Sequence, residues 1–285
     1  MNFVTHILDE LRKPTNMFRE FDAPEIDQLC NNLEASVKFL LPKNGDTGVK
    51  LSQDIVPLLR MPYPIIAFEY DAGTETDKAD KMVTLAIEVA GSDGKIVDIY
   101  SIFCKHGYDW TVVPGKVTID FDAIEVGKLT RQLSAGFPNT FAKVSAAWDK
   151  DCSNAFANNL NKMVKQESYS VLKAIVCLNA KNVSTVTIPS PVKLNKRRKA
   201  SGKAEFYEYK TLSIFLGDIA ISARPKDRSR IAQHFFDGSP TMRLSAVRGH
   251  FKRRNGNLYW WSTHMRGSKK LGVIEKQYNL VHPNN

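Results

Sequence analysis

From Ile65 to Phe121 apolar residues alternate with polar ones or run unbroken for a few positions, a pattern that predicts a β-meander. Candidate strands are Ile65–Tyr70, Met82–Val89, Lys95–Cys104, Asp109–Val113 and Lys116–Phe121, with turns at Gly91-Ser92-Asp93-Gly94 and Val113-Pro114-Gly115. Met61-Pro62-Tyr63-Pro64 forms a rigid, non-helical entry to the first strand. Helical spacing marks the chain on either side. Residues 22–41 read as an amphipathic helix, with Asp22 as cap, Pro24 in the first turn, Glu25 at capping-box spacing, and Ile26, Leu29, Cys30, Leu33, Val37 and Leu40 as its apolar stripe. A short helix follows the meander from Ile124 to Leu133. A longer helix, or a helical pair, runs from about Ser153 to Leu178 with Phe156, Leu160, Met163, Val164, Val171, Leu172, Ile175 and Val176 inward.

Beyond residue 178 the expected elements are a solvated loop over Lys193–Lys203, strands at Phe206–Leu216 and Ile219–Ala223, a short helix at Pro225–Phe235, and a terminal hairpin. Asn255-Gly256 centres that hairpin, because a type I′ turn needs positive φ at both central residues. The turn sets the register: Arg253 pairs with Leu258, Lys252 with Tyr259, Phe251 with Trp260 and His250 with Trp261. Side chains then alternate between faces. One face carries Arg248, His250, Lys252, Arg254, Tyr259 and Trp261. The other carries Val247, Gly249, Phe251, Leu258 and Trp260 and suits a core. The fold class is therefore α+β, with an antiparallel meander in the N-terminal half and helices plus a terminal hairpin in the C-terminal half. A soft boundary separates an acidic region, 1–150, from a basic region, 151–285, which together can form one domain.

Charge sharpens that division. The chain of 285 residues has a net charge of +10. Residues 1–150 hold 16 Lys and Arg against 22 Asp and Glu, net −6, and residues 151–285 hold 24 against 8, net +16. From Arg243 to Lys270 there is no acidic residue at all. An asymmetry of this size points to an acidic partner for the second half, DNA or RNA being the commonest, or to the basic half docking on the acidic one. Cys30, Cys104, Cys152 and Cys177 are widely spaced and form no C-x-x-C pair, so four reduced, mostly buried thiols are expected. No apolar run approaches a membrane span, and charged residues interrupt the N-terminus, so the expectation is a cytosolic protein.

The candidate chemistry follows from these patterns. On the hairpin, Arg248, Lys252 and Arg254 are placed to meet phosphates, and Tyr259 and Trp261 to stack on bases. Cation–π contacts within the ribbon would use the same residues without a ligand. Lys196-Arg197-Arg198-Lys199 offers phosphate contacts without sequence readout. Ser201-Gly202-Lys203 is no P-loop, since the spaced glycines are missing. His250 and His264 are the candidates for acid–base catalysis, but the register separates them, placing His264 across from Val247 on the opposite face. Asp120 and Asp122 flank Phe121 as a D-x-D pair able to hold a divalent ion, with no third ligand at a persuasive distance. Glu69, Asp71, Glu75, Asp77 and Asp80 read as an exposed acidic loop. No cofactor is expected.

Three blocks in the second half carry a resemblance. They are Leu178-Asn179-Ala180-Lys181-Asn182-Val183; then Ile188-Pro189-Ser190-Pro191-Val192-Lys193-Leu194-Asn195-Lys196-Arg197-Arg198 with Gly202-Lys203 and Tyr209; and last Val247-Arg248-Gly249-His250-Phe251-Lys252-Arg253-Arg254 with Trp260-Trp261 and His264-Met265-Arg266-Gly267. In this order, over roughly residues 170–270, they resemble uncharacterised proteins of tailed phages and prophages. Met61-Pro62-Tyr63-Pro64 is a fainter likeness in the first half. The resemblance implies phage origin and action in an infected bacterial cytoplasm, and it places Arg266 in the closing signature beside the other cations. It implies no activity. The reading reached from the sequence is a phage protein that binds nucleic acid through its C-terminal hairpin. Its rivals are a protein that docks on an acidic host partner and inhibits a defence or housekeeping complex, a nucleic-acid or nucleotide processing enzyme centred on His250, and a virion component.

Overall fold

Along Ile65–Ala72 the side chains of Ile66, Phe68 and Tyr70 alternate with those of Ala67 and Glu69, and both sets are buried. A strand buried on both sides needs a layer on each face. The computed structural model supplies both. It describes residues 2–73, 80–104, 110–125, 132–140, 142, 167–181, 183–214, 243–247, 250–261, 264–266 and 268–274. The helices are α1 (Phe3–Leu11), α2 (Met17–Ala35), α3 (residues 167–179) and α4 (Val192–Ala200). The strands are β1 (Val37–Leu40), β2 (Ile65–Ala72), β3 (Asp80–Glu88), β4 (Ile96–Cys104), β5 (Thr111–Asp120), β6 (Gln132–Ala135), β7 (Val183–Ile188), β8 (Tyr209–Ile214), β9 (Arg243–Val247), β10 (His250–Arg254), β11 (Asn257–Trp261), β12 (His264–Arg266) and β13 (Ser268–Ile274).

Eight strands form one mixed sheet in the order β6-β5-β4-β3-β2-β1-β8-β7. Strands β2 to β6 are antiparallel neighbours; the alternation predicts β2, β3 and β4, but not the unbroken β5 or β6. The sheet is nevertheless more than a meander. β1 lies parallel to both β2 and β8, and β7 closes the far edge antiparallel to β8. Strands from both sides of residue 150 thus share one sheet. Between β1 and β2 the parallel connection runs through residues 41–64, with short 3-10 turns at Lys43–Gly45 and Val56–Leu58 rather than an α-helix.

One face of the sheet is covered by α1 and α2, whose Ile7, Leu8, Leu11, Ile26 and Leu33 pack on Ala67, Val83, Leu85, Ile102 and Val112. Glu69 projects into this layer and is only 3% exposed. Its two carboxylate oxygens accept the backbone N–H groups of Phe3 and Val4, each at 3.0 Å, so a strand residue satisfies the free donors at the start of α1. Burial still pushes its carboxyl above the ordinary value against those donors. On the other face lie α3, the 41–64 connection and the β10–β11 ribbon, through Val171, Leu172, Ile175, Val176, Leu59, Phe251 and Leu258. Here Tyr70 Oη and Thr84 Oγ1 both donate to Glu167 at the start of the described part of α3. Gly45, at φ +62, meets Ser170 so closely that a Cβ there would lie 2.9 Å from its side chain, which fixes the connection onto α3.

Several expectations need correction. The helix drawn over 22–41 starts at Met17, capped by Asn16, and ends at Ala35; Val37–Leu40 is strand. Asp22 does break the helical path (φ −135, ψ 50), but its carboxylate receives Asn139 N, Thr140 N and Thr140 Oγ1 rather than its own helix. Val113-Pro114-Gly115 is not a turn. It is a bulge inside β5 opposite Ser101, where the missing proline N–H costs no ladder bond. Pro114 O meanwhile accepts from Gly136 N and Phe137 N. Gln132 and Leu133, expected at the end of a helix, begin β6. Glu69 and Asp71 belong to β2 and Asp80 opens β3, so the acidic loop reading fails there; Glu75 and Asp77 lie outside the described residues. Residues 153–166, Ile219–Ala223 and Pro225–Phe235 also lie outside them. Cys30, Cys104 and Cys177 are buried free thiols, and Cys152 is not described.

Candidate nucleic-acid interface

The register that Asn255-Gly256 implies is the register observed. Asn255 has φ +50 and Gly256 φ +75, as a type I′ turn requires. Across the ribbon His250 pairs with Trp261, Phe251 with Trp260, Lys252 with Tyr259, Arg253 with Leu258 and Arg254 with Asn257. Phe251 and Leu258 are buried, and the Phe251 and Trp260 rings meet edge to face at 4.9 Å. Trp260 is partly rather than fully buried. The ribbon is fastened to the end of α3, where Lys181 N donates to Leu258 O at 3.0 Å and Ala180 bridges Leu258. Lys252 and Arg254 are exposed beside the half-buried Tyr259, and Arg253, exposed too, pairs with Leu258 on the anchored face. One face is thus anchored while the other turns cations and a phenol ring outward.

Arg248 and the side chains of His250, Trp261 and Arg266 lie outside the described residues, although His250, Trp261 and Arg266 keep their backbone positions. His264 pairs with Val247 on β9, in a three-stranded sheet of order β12-β9-β13. His250 belongs to the separate two-stranded sheet.

The second basic segment differs from its expectation. Lys196-Arg197-Arg198-Lys199 lies in the helix α4, not in a loop. Pro191 precedes the first turn, and Arg197, Arg198 and Lys199 fall in the last turn, where they oppose the negative helix end. Asn195 clamps the helix to the returning chain, donating to Phe206 O at 2.8 Å and accepting Phe206 N–H at 2.7 Å. Arg198 is used internally: it pairs with Asp9, donates to Ala204 O and lies 4.4 Å from the Phe206 ring centroid. Lys196 and Arg197 are exposed, and Lys199 reaches Glu205 at 4.0 Å.

Asp120 and Asp122 do not converge on a shared space. Asp120 Oδ1 accepts the backbone N–H of Asp122, and Asp122 pairs with Lys95. Among the described residues no three His, Cys, Asp or Glu side chains gather as a metal-binding group. No described helix is long and apolar enough to cross a membrane.

Three perturbed groups escaped the sequence reading. Glu69 and Glu167 are buried acids, and the only sequence sign of Glu69 is an acid set within the apolar run of β2. Lys38, in β1, is 6% exposed; it donates to Glu34 O and Ser36 O and sits 4.0 Å over the Tyr207 ring. Burial brings its pKa down to about 8. These groups are enclosed by the fold and bind its layers together. The chain matches no family model, no curated protein and no solved structure.

Proposed function

We propose that this chain is a tailed-phage protein acting in the host bacterial cytoplasm, where it binds DNA or RNA through the outward face of the β10–β11 ribbon. The observation that carries this reading is the split across that ribbon. Phe251 and Leu258 are buried on the sheet side, leaving Lys252 and Arg254 exposed on the other face beside Tyr259. A rigid ribbon that presents cations next to an aromatic ring can meet phosphates and stack on a base without first ordering a loop. Arg248, His250, Trp261 and Arg266 extend this face in the proposal. The finer division into an acidic N-terminal region, 1–150, and a basic binding region, 151–285, is part of it.

Fluorescence anisotropy with labelled single-stranded and duplex DNA and RNA, across a salt series, tests the reading. Four phosphate contacts on duplex DNA predict about a hundredfold loss of affinity between 50 and 200 mM salt. Trp261→Ala and Arg248→Ala should each weaken binding while the fold persists. Affinity unchanged across the salt series overturns the proposal.

One observation favours a second reading, docking on an acidic host protein. Val192 and Leu194 are exposed on α4 among Lys193, Lys196 and Arg197, and Val186 is exposed on the edge strand β7. Apolar side chains ringed by cations suit a protein surface better than a phosphate backbone. Capture of a host protein after nuclease treatment, lost in Leu194→Asp, would favour it over the first.

A further inference from the structure

β7 forms one edge of the eight-stranded sheet, with β8 on one side and, among the described residues, no strand on the other. Backbone N–H and C=O groups alternate in direction along an antiparallel strand, so every second residue of Val183–Ile188 turns both away from β8. Folded proteins commonly blunt such an edge with lysine, proline or a bulge. β7 has none of these. Its sequence, Val-Ser-Thr-Val-Thr-Ile, carries no charge, and its register with β8 is unbroken from Val183 and Ile214 to Ile188 and Tyr209. Val186 is 42% exposed and Thr187 is exposed, while Val183 packs against the core. Cations stand at both ends of this neutral strand. Lys181 is exposed two residues before it, and Lys193, Lys196 and Arg197 are exposed on α4 after it. Val192 follows Ile188 by four residues, which holds the start of α4 within about 15 Å of the strand end. Val192 and Leu194, 79% and 47% exposed, lie among those cations. Over residues 181–214 the sequence holds eight Lys and Arg against two acids, Glu205 and Glu208.

We propose that β7 takes up an extended acidic segment of another protein as a ninth strand, its uncharged middle along Val183–Ile188 and its acids toward Lys181 and the cations of α4. Backbone hydrogen bonds to the open edge supply affinity, and side chains at alternate positions supply selectivity. Charge decides among the occupants that an open edge can take. A second copy of this chain has a net charge of +10 and would bring one basic half against another. Nucleic acid would leave Val186, Val192 and Leu194 without apolar partners. Strand addition rests on the second reading above, in which α4 docks on an acidic protein, and it specifies the conformation of the docking segment.

Fluorescence anisotropy of the full chain with a labelled peptide, Glu-Glu-Thr-Val-Thr-Val-Thr-Glu-Glu, tests it. The peptide is expected to saturate at one per chain and to bind about tenfold more tightly than the same core flanked by lysines. N-methylation at alternate residues should divide the peptide into two sets: methyls toward β7 abolish binding, and methyls away from it leave binding intact. Val186→Asp should weaken binding about tenfold, because it replaces an apolar contact with a charge that repels the flanking acids. Val186 is exposed, so the thermal melt should persist, and that measurement separates lost binding from lost folding. Lys252→Ala on the ribbon should leave peptide binding unchanged. No saturable binding, or binding indifferent to both Val186→Asp and N-methylation, overturns strand addition. The docking reading then still stands if Leu194→Asp loses a captured host protein, and falls as well if it does not. Sedimentation of the free chain as a concentration-dependent dimer that Val186→Asp dissolves would give the edge to a second copy and overturn the acidic partner.

Discussion

The β10–β11 ribbon and α4 are both dense in lysine and arginine, yet the fold uses their cations in opposite ways. On the ribbon, strand alternation sends Phe251 and Leu258 into the core and leaves Lys252 and Arg254 outside. On α4 no apolar stripe exists, and the helix is held instead by polar clamps: Asn195 to Phe206, and Arg198 to Asp9 and Ala204. The same residue type is therefore a surface charge in one segment and a structural bolt in the other. A run of cations says where positive charge is in the sequence; burial and packing decide which of its side chains face solvent.

The largest effect expected from this contrast lies beneath the ribbon. Leu258→Ala removes a side chain 4% exposed and should cost about 2–5 kcal/mol in chemical denaturation. Trp260→Ala should cost less, since Trp260 is only partly buried. If Leu258→Ala is neutral, the ribbon is not anchored as described. On α4 the matching change is Arg198→Ala, which strands Asp9 and frees the 202–204 turn. It should cost about 1–3 kcal/mol, the scale of a charged hydrogen bond lost at a partly buried site. Lys196→Ala, two residues away on the same helix and exposed, should stay within about 0.5 kcal/mol. Equal effects at positions 196 and 198 would erase the distinction between open and structural cations.

Binding should invert that ranking. Lys252→Ala and Arg254→Ala should each lower the salt slope for duplex DNA by about one, with little change in stability. Arg198→Ala should leave the slope alone. A slope that falls for Arg198→Ala and not for the ribbon variants would move the interface from the ribbon to α4.

The same contrast explains what the sequence could and could not show. Register on the ribbon was legible because one dipeptide, Asn255-Gly256, admits few turns and period-two alternation does the rest. β2 to β4 were legible for the same reason. α4 was not, because Val192, Leu194 and Asn195 fall at no helical stripe and its anchors lie at Asp9, Ala204 and Phe206, far away along the chain or on its return. Pro114 predicts a turn that would split β5 in two, whereas a bulge absorbs it. The parallel contacts of β1 with β2 and β8 left no local trace at all, since β1 is four residues long. Beyond its place in an apolar run, Glu69 carries no local sign of burial, because its partners, the N–H groups of Phe3 and Val4, are backbone atoms of a remote helix start.

The smallest predicted effect is a titration. His6 stands on α1 beside the α4 cluster, its ring 5.8 Å from Phe206. Loss of water lowers its pKa below the ordinary value, and the positive charge of Arg198 lowers it further, against the opposing pull of Asp9. Because the folded protein prefers the neutral ring, His6 contributes stability above the unfolded value near 6.5, and that contribution is lost as pH falls through the lowered folded value. Arg198→Ala removes the repelling charge, opens the Phe206 side to water and releases Asp9 to attract a proton. All three changes act in one direction, so the His6 pKa followed by NMR should rise in the variant. The acid-side loss of stability should shrink with it. A His6 that titrates at its ordinary value in the parent chain, or that ignores Arg198→Ala, would show that the α4 cations do not reach this wall of the fold, and Arg198 would then be no more structural than Lys196.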